Sequence, residues 1–246
     1  MGEILYKYLD VDGGLKMLEH HDIQFTNALY LNDPFDCHPR LIDYSNATNR
    51  EAEVWGKELV EEVEVSHARN RRNDTWICSL SKKYNNLLMW SYYNGHKGVC
   101  IGLDREKIKA CLSHIMNGVY IGAHEMEVQY KDIIEKPDYY HDHLDDLRYQ
   151  LSTKAKAWEH EQEVRLLLID PWSAQVSHHP AFIEWRDSHA YHDLDGDCFE
   201  SLYLGVKIEK EKRNKVIEFA KKCNPNIKIY QMKIDPEAFR LKEELI

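Results

Sequence analysis

The sequence predicts an α+β fold: a single mixed domain over residues 1–246, with a central, largely antiparallel β core flanked by helices. Three observations lead there. Apolar runs of strand length recur along the chain, among them "TWICSLS" (75–81), "GVCIGLD" (98–104) and "QEVRLLLID" (162–170). Segments with helical spacing stand between them, notably 10–21, 49–72 and 209–222. No Gly/Ser-rich or Pro-rich linker, internal repeat or low-complexity tract divides the 246 residues, which suffice for one well-filled core.

Taken in order, "ILYKYL" (4–9) is rich in β-formers, Asp10 is placed to cap a helix over 10–21, and "DIQFTNA" (22–28) returns to strand, so the chain opens strand, helix, strand. In "YLNDPFDCHPR" (30–40) two prolines and clustered Asn and Asp mark a folded loop. The charged segment 49–72 places Val54, Leu59, Val60 and Val63 near helical spacing and reads as an amphipathic surface helix. Strands follow at 75–81 and 98–104, joined by "NNLLMWSYYNGHKGVC" (85–100). The spacing then predicts a helix over 105–117, a strand over 125–132, a long helix over 139–160 and a strong strand over 162–170. "PWSAQVSHHP" (171–180) breaks the pattern, and strand 201–205, helix 209–222 and strand 227–235 close the chain.

Composition narrows the function. Apolar residues at 43% and charged residues at 30% indicate a globular chain, and a net charge of -10 argues against general affinity for nucleic-acid backbones. "HARNRRN" (67–73) is the one compact basic segment and reads as a solvated turn. The six cysteines form no C-x-x-C, and no basic-then-apolar leader precedes the first strand; free thiols in a reducing cytoplasm are expected. No apolar run approaches the roughly 18 residues of a membrane span, so no membrane partner is expected.

The common catalytic signatures are missing. The histidine pairs at 20–21 and 178–179 and "HDH" at 141–143 lack the spacing of a metal motif and read as surface residues, so no metal is expected. There is no G-x-S-x-G elbow, no G-x-G-x-x-G and no phosphate loop. Acidic groups remain. In "WEHEQEVRLLLI" (158–169), Glu161, Glu163 and Arg165 fall at period two, with Val164, Leu166 and Leu168 opposite. Arg165 would hold one carboxylate ionised while the other faces a ligand; a salt-bridged solvent face is the plain alternative. Asn32, Asp33 and Asp36 either cap their own loop or contribute to a pocket. Trp90 and Met89 suit core closure, whereas Tyr92, Tyr93 and His96 suit a core corner and a pocket lip equally.

Several segments together, "LYKYL", "IQFTNALYLNDPFDC", "CSLS", "NNLLMWSYYNGHKGVCIGLD", "KAWEHEQEVRLLL" and "LYLGVKI", resemble in this order the bacterial DUF2971 family, which carries no assigned activity. The opening strand, helix, strand with a late Glu at a strand start is more distantly similar to the ADP-ribosyltransferase fold. That resemblance implies NAD as substrate, a small-molecule nucleotide pocket and a macromolecular acceptor of unknown identity. It implies Glu163 or Glu161 as the catalytic carboxylate, Lys7 and Thr26 as cofactor-binding residues and Tyr92 or Tyr93 beside the ring; Tyr8, Trp90, His96 and Arg165 are further cofactor-binding candidates. Lys7 departs from the His or Arg of that fold and cannot reproduce its hydrogen bonding. A non-catalytic nucleotide-binding or partner-binding module, in phage defence or regulation, is therefore a second expectation. A Mg²⁺-dependent hydrolase or nuclease built from Asp33, Asp36, Glu161 and Glu163 is a third.

Overall fold

A computed structural model describes residues 2–46, 53–54, 56–116, 119–139, 143–169, 183–186 and 188–246. The order is β1 (Ile4–Leu9), α1 (Val11–His20), β2 (Asp22–Asn27), α2 (Lys57–Asn73), β3 (Thr75–Ser81), α3 (Leu87–Tyr92), β4 (Val99–Asp104), α4 (Arg105–Cys111), β5 (Ser113–Met116), β6 (Val119–Gly122), β7 (His124–Glu127) and β8 (Gln129–Lys131). It continues through α5 (His143–Ser152), β9 (Thr153–Ala155), β10 (Glu163–Ile169), β11 (Ile183–Arg186), β12 (His189–Asp193), β13 (Phe199–Leu204), α6 (Lys210–Cys223), β14 (Lys228–Ile234) and β15 (Leu241–Leu245). The mixed α+β class read from the sequence holds, with helices flanking a large, mostly antiparallel sheet.

The first three elements form for local reasons. Asp10 accepts a hydrogen bond from the Gly13 amide and starts α1, and His21 ends it in the left-handed conformation at φ 55°. Val11, Gly14, Met17 and Leu18 line one buried face of α1. That face shares a core with β4 and with the buried Val216, Ala220 and Cys223 of α6. Burial of such side chains contributes about 1.5–3 kcal/mol each, which is what holds a short helix in place.

The main sheet runs β11-β12-β2-β3-β1-β4-β13-β14-β15, and β10 pairs with both β3 and β7. Only the β13–β14 pair in this path is parallel, with α6 as its crossover. The site depends on what happens at β3. One edge of β3 pairs with β10 along its whole length, from Ser81 opposite Glu163 to Thr75 opposite Ile169. The other edge is shared: Trp76 and Ile77 pair with Asn27 and Thr26 of β2, and Ser81 pairs with Tyr6 of β1. Between Ile77 and Ser81 the two neighbours splay apart, and the sheet forks.

Several predicted elements are revised. The helix expected over 139–160 is α5 alone; at Thr153 the chain switches to β9, which pairs with β8, and then to a 3₁₀ turn over Lys156–Glu161. Thr153, with its branched side chain, opens the strand, and the backbone hydrogen bonds to β8 outweigh the helical periodicity of the stretch. The helix expected over 105–117 stops at Cys111 because residues 113–116 pair with β6. The strand expected over 125–132 divides at Val128, whose amide bonds to the Glu163 carbonyl, so β7 joins β10 and β8 joins β9. The helix expected over 49–72 is described from Lys57, and residues 47–52 and 55 lie outside the described residues, as do 141–142 and 171–180. The expected solvated turn at 67–73 is the end of α2, where Arg71 binds Asp146 and Gln150.

Gly98 has a packing requirement of its own. A Cβ there would strike the backbone carbonyl of Leu9 and come within 3.1 Å of the Tyr93 carbonyl, both rigid backbone atoms. Gly98→Ala is expected to lower the unfolding free energy by about 1–3 kcal/mol in urea titrations, because β1, α3 and β4 meet at this point.

Candidate functional site

A cleft of about 240 Å³ opens in the fork of the sheet. Its floor is Ile77, Ser79, Leu80 and Ser81 of β3. Tyr6, Lys7 and Tyr8 of β1 form one wall, and Thr26 of β2 with Tyr30, Leu31, Asn32 and Asp36 of the following loop form the other. Met89 and Tyr93 enter from α3 and its cap, and Lys154, Glu161 and Glu163 close the inner end. Loops 31–36, 84–98 and 161–165 thus reach one cleft, through only some of their residues.

The fork leaves backbone groups of β3 without a strand partner on one edge, and a side chain answers at Ser79: the Lys7 ammonium donates to its carbonyl at 3.0 Å. An ammonium has three donors, so this bond leaves Lys7 with capacity toward the cleft. Tyr8 spans the wall, donating to the Lys83 carbonyl at 2.8 Å while its ring stacks on Tyr93 at 6.0 Å and meets the edge of Trp90.

At the inner end a buried ion network organises three distant segments. Arg165, 1% exposed, donates from Nη1 and Nη2 to the two carboxylate oxygens of Asp36 at 2.8 and 2.7 Å. Its Nε donates to Glu163 at 3.0 Å, and Nη1 also reaches the Leu151 carbonyl at 2.7 Å. Lys154 donates to Glu161 at 2.6 Å and Glu163 at 3.1 Å, with its ammonium 5.1 Å from the Trp158 ring centre. Burial by itself would raise the Glu163 pKa, but Arg165 and Lys154 outweigh it and hold the carboxyl at about 2. The same carboxylates keep Lys154 protonated against a burial effect of opposite sign.

The expected period-two row is only partly realised. Glu163 and Arg165 project together from β10, but Gln162 is left-handed at φ 46°, so Glu161 reaches Lys154 from the preceding turn and not from the strand. Neither is the face solvated. Loop 28–44, α2 and α5 cover it, with Gln150 of α5 donating to the Cys37 and Ala68 carbonyls.

Eight of the sequence-derived positions line the cleft: Lys7, Tyr8, Thr26, Asn32, Asp36, Tyr93, Glu161 and Glu163. Five do not. Arg165 is committed to Asp36 and Glu163 and acts behind the wall. Asp33 caps the Phe35 amide at 2.9 Å, the local alternative for that loop. Trp90 is fully buried and donates to the Tyr84 carbonyl, as core closure requires. Tyr92 is 58% exposed and meets His160, whereas the next residue, Tyr93, caps α3 and lines the cleft. His96 sits at φ 66° in the turn where its carbonyl accepts from Lys207. Sequence reading missed Lys154 and Ser79; Lys154 fell inside the helix expected over 139–160, where nothing set it apart from Lys156 two residues on.

A depressed carboxyl pKa contributes stability that is complete above its unfolded value and is lost as pH falls through the folded value. For Glu163 this window runs from the ordinary 4.5 down to about 2. Across it the wild-type protein is expected to lose up to about 3 kcal/mol of unfolding free energy that Glu163→Gln does not lose, measured by urea titration at a series of pH values.

Among the described residues no helix is long and apolar enough to cross a membrane. No curated protein and no solved structure matches the chain. Residues 89–166 match a family described as a protein of unknown function, DUF2971. That span begins at Met89 and ends at Leu166, and so contains Tyr93, Lys154, Glu161, Glu163 and Arg165 of the site and its support. The match covers about a third of the chain, and over this region, which holds Lys154, Glu161, Glu163 and Arg165 of the ion network, the chain is similar to the DUF2971 family.

Proposed function

We propose that the cleft binds the nicotinamide-ribose end of NAD and that the protein is an ADP-ribosyltransferase-like enzyme cleaving the nicotinamide glycosidic bond, with transfer of ADP-ribose to an acceptor or to water. The observation that carries this reading is an ionised, buried carboxylate, Glu163, at the closed end of a forked-sheet cleft whose mouth holds Tyr93. Cleavage of the glycosidic bond develops positive charge on the ribose, and a fixed carboxylate stabilises that charge more in the transition state than in the ground state. A carboxyl held at about 2 stays anionic at neutral pH and suits electrostatic stabilisation and acceptance of a ribose hydroxyl hydrogen bond; it does not suit proton abstraction.

The remaining residues take roles by position. Tyr93, backed by Tyr8, offers a ring face to a flat heterocycle. Lys7 and Thr26 face each other across the fork as donors to hydroxyl or phosphate oxygens, and Glu161 supplies a more accessible carboxylate beside Glu163. The volume, about 240 Å³, suits one ring and its ribose, with the phosphates at the mouth.

A second reading has its own support. Arg165 and Lys154 already engage both oxygens of Glu163, and such a carboxylate serves recognition without chemistry. The protein is then a nucleotide-binding or partner-binding module. The same cations weaken the Mg²⁺ reading, since they occupy the oxygens of Asp36 and Glu163 that a divalent ion would take, and Asp33 faces its own loop.

NMR of NAD with the purified protein, followed over hours, reads binding and free nicotinamide together. The enzyme reading expects both, and expects Glu163→Gln to slow release by about 10²-fold or more with binding little changed. Binding without release supports the module. Absence of binding at millimolar NAD removes both nucleotide readings.

A further inference from the structure

Two thiols far apart in sequence meet between the end of α4 and the turn that precedes β13. Cys111 Sγ, at the end of α4, lies 3.4 Å from Cys198 Sγ, which ends the 3₁₀ turn Gly196–Cys198. Both supports are fixed independently. Asp104 caps α4 by accepting from the Glu106 and Lys107 amides, and the Cys198 amide closes its turn on the Asp195 carbonyl at 3.0 Å. Lys107 ties the same two elements together a turn away, donating to the Asp197 carbonyl at 2.9 Å and pairing with its carboxylate at 3.1 Å. The approach of the sulfurs is therefore a property of the packing and not of one side-chain rotamer.

Access is unequal. Cys111 is half-buried, whereas Cys37, Cys78, Cys100, Cys198 and Cys223 are buried. A soluble oxidant meets Cys111 first, and the Cys111 thiol points at the Asp195 carboxylate, 3.5 Å away, which accepts its hydrogen. Cys198 stands directly behind it in the place of a resolving thiol.

We propose that Cys111 and Cys198 are a reversible, peroxide-responsive dithiol that closes to a disulfide. In the first step the Cys111 sulfur attacks one peroxide oxygen, the O–O bond breaks, and the displaced hydroxide takes the thiol proton to leave as water. Cys111 is then a sulfenic acid. In the second, the Cys198 sulfur attacks the Cys111 sulfur, the S–S bond forms and the S–OH bond breaks. The leaving hydroxide takes the Cys198 proton as a second water. Two thiols have given up two electrons, and one hydrogen peroxide has become two waters. Burial, reinforced by Cys111, pushes the Cys198 thiol well up, so Cys198 rests as the thiol.

The location gives the bond a mechanical consequence. Residues 194–198 carry the chain from β12, which pairs with β2 on one arm of the forked sheet, to β13, which pairs with β4 on the other. α4 continues directly from β4. A Cys111–Cys198 bond therefore ties the crossing between the arms to the arm that bears β1 and its cleft wall.

The test uses the full chain, reduced and then exposed to hydrogen peroxide. Non-reducing peptide mapping is expected to show a Cys111–Cys198 linked peptide, with the six thiols falling to four and dithiothreitol restoring them. The oxidised form is expected to melt roughly 5–10 °C higher. Cys111→Ser, at the half-buried position, is expected to lose both effects. Cys198→Ala, which avoids a buried hydroxyl, is expected to let Cys111 proceed to sulfenic and sulfinic acid with no linked peptide. Six titratable thiols after a treatment that oxidises a control dithiol would overturn the proposal, as would wild-type Cys111 reaching sulfinic acid while Cys198 stays reduced.

Discussion

The Arg165 guanidinium joins parts of the chain that share no secondary structure. It grips Asp36 with a two-pronged contact 129 residues away in sequence, Glu163 on its own strand, and the Leu151 carbonyl in the last turn of α5. Bringing these charges out of water costs several kcal/mol per ion, and only near-complete hydrogen bonding offsets that cost. The network meets this condition: Lys154 completes Glu163 and engages Glu161, and Tyr130 accepts the Glu163 backbone amide at 2.8 Å. Loss of any member leaves a buried charge with fewer compensating partners. The loop 31–36, β9 and the start of β10 are fixed together for that reason, and the inner end of the cleft is fixed with them.

The fork in the sheet and the ion network belong to one design. β3 is shared by β10, β2 and β1, and where β2 and β1 separate, the backbone of residues 78–80 needs other partners. Lys7 supplies one from the wall side. Behind β3, hydrophobic packing of Ile77, Leu151, Leu167, Ala28 and Cys37 seals the layer under the ion pairs. The cleft therefore contains three carboxylates, Asp36, Glu161 and Glu163, set against three cations, Lys7, Lys154 and Arg165, in or directly behind its walls. Such a site carries little net charge but strong, oriented local fields, the arrangement that stabilises charge developing at one atom of a ligand without requiring a charged ligand as a whole.

Local signals made much of the fold legible in the sequence. Asp10 before a helical apolar face, the alternating and continuous strands at β1, β3, β4 and β10, and the amphipathic α6 all express short-range periodicities that survive folding. The candidate site was legible where chemistry marked it: Glu163, Glu161 and Asp36 were singled out and meet in space. What failed was non-local. Residues 153–155 leave the expected helix to pair with β8, and that places Lys154, buried, in the centre of the network. Arg165 reads as the group that holds one carboxylate ionised, and it does so for Glu163, but nothing in its neighbourhood showed that loop 28–44 and α5 fold over that face of β10. Tyr92 and Tyr93 were indistinguishable by type; the register of a single helical turn separates them.

A double-mutant cycle on Asp36→Leu and Arg165→Met, read by urea unfolding at neutral pH, tests the central role of the network most directly. Each single change is expected to be strongly destabilising and the pair to be much less so than their sum, with a coupling energy above about 2 kcal/mol. Additivity within about 0.5 kcal/mol would contradict it, because Asp36 and Arg165 would then contribute independently and could not be what holds the cleft together.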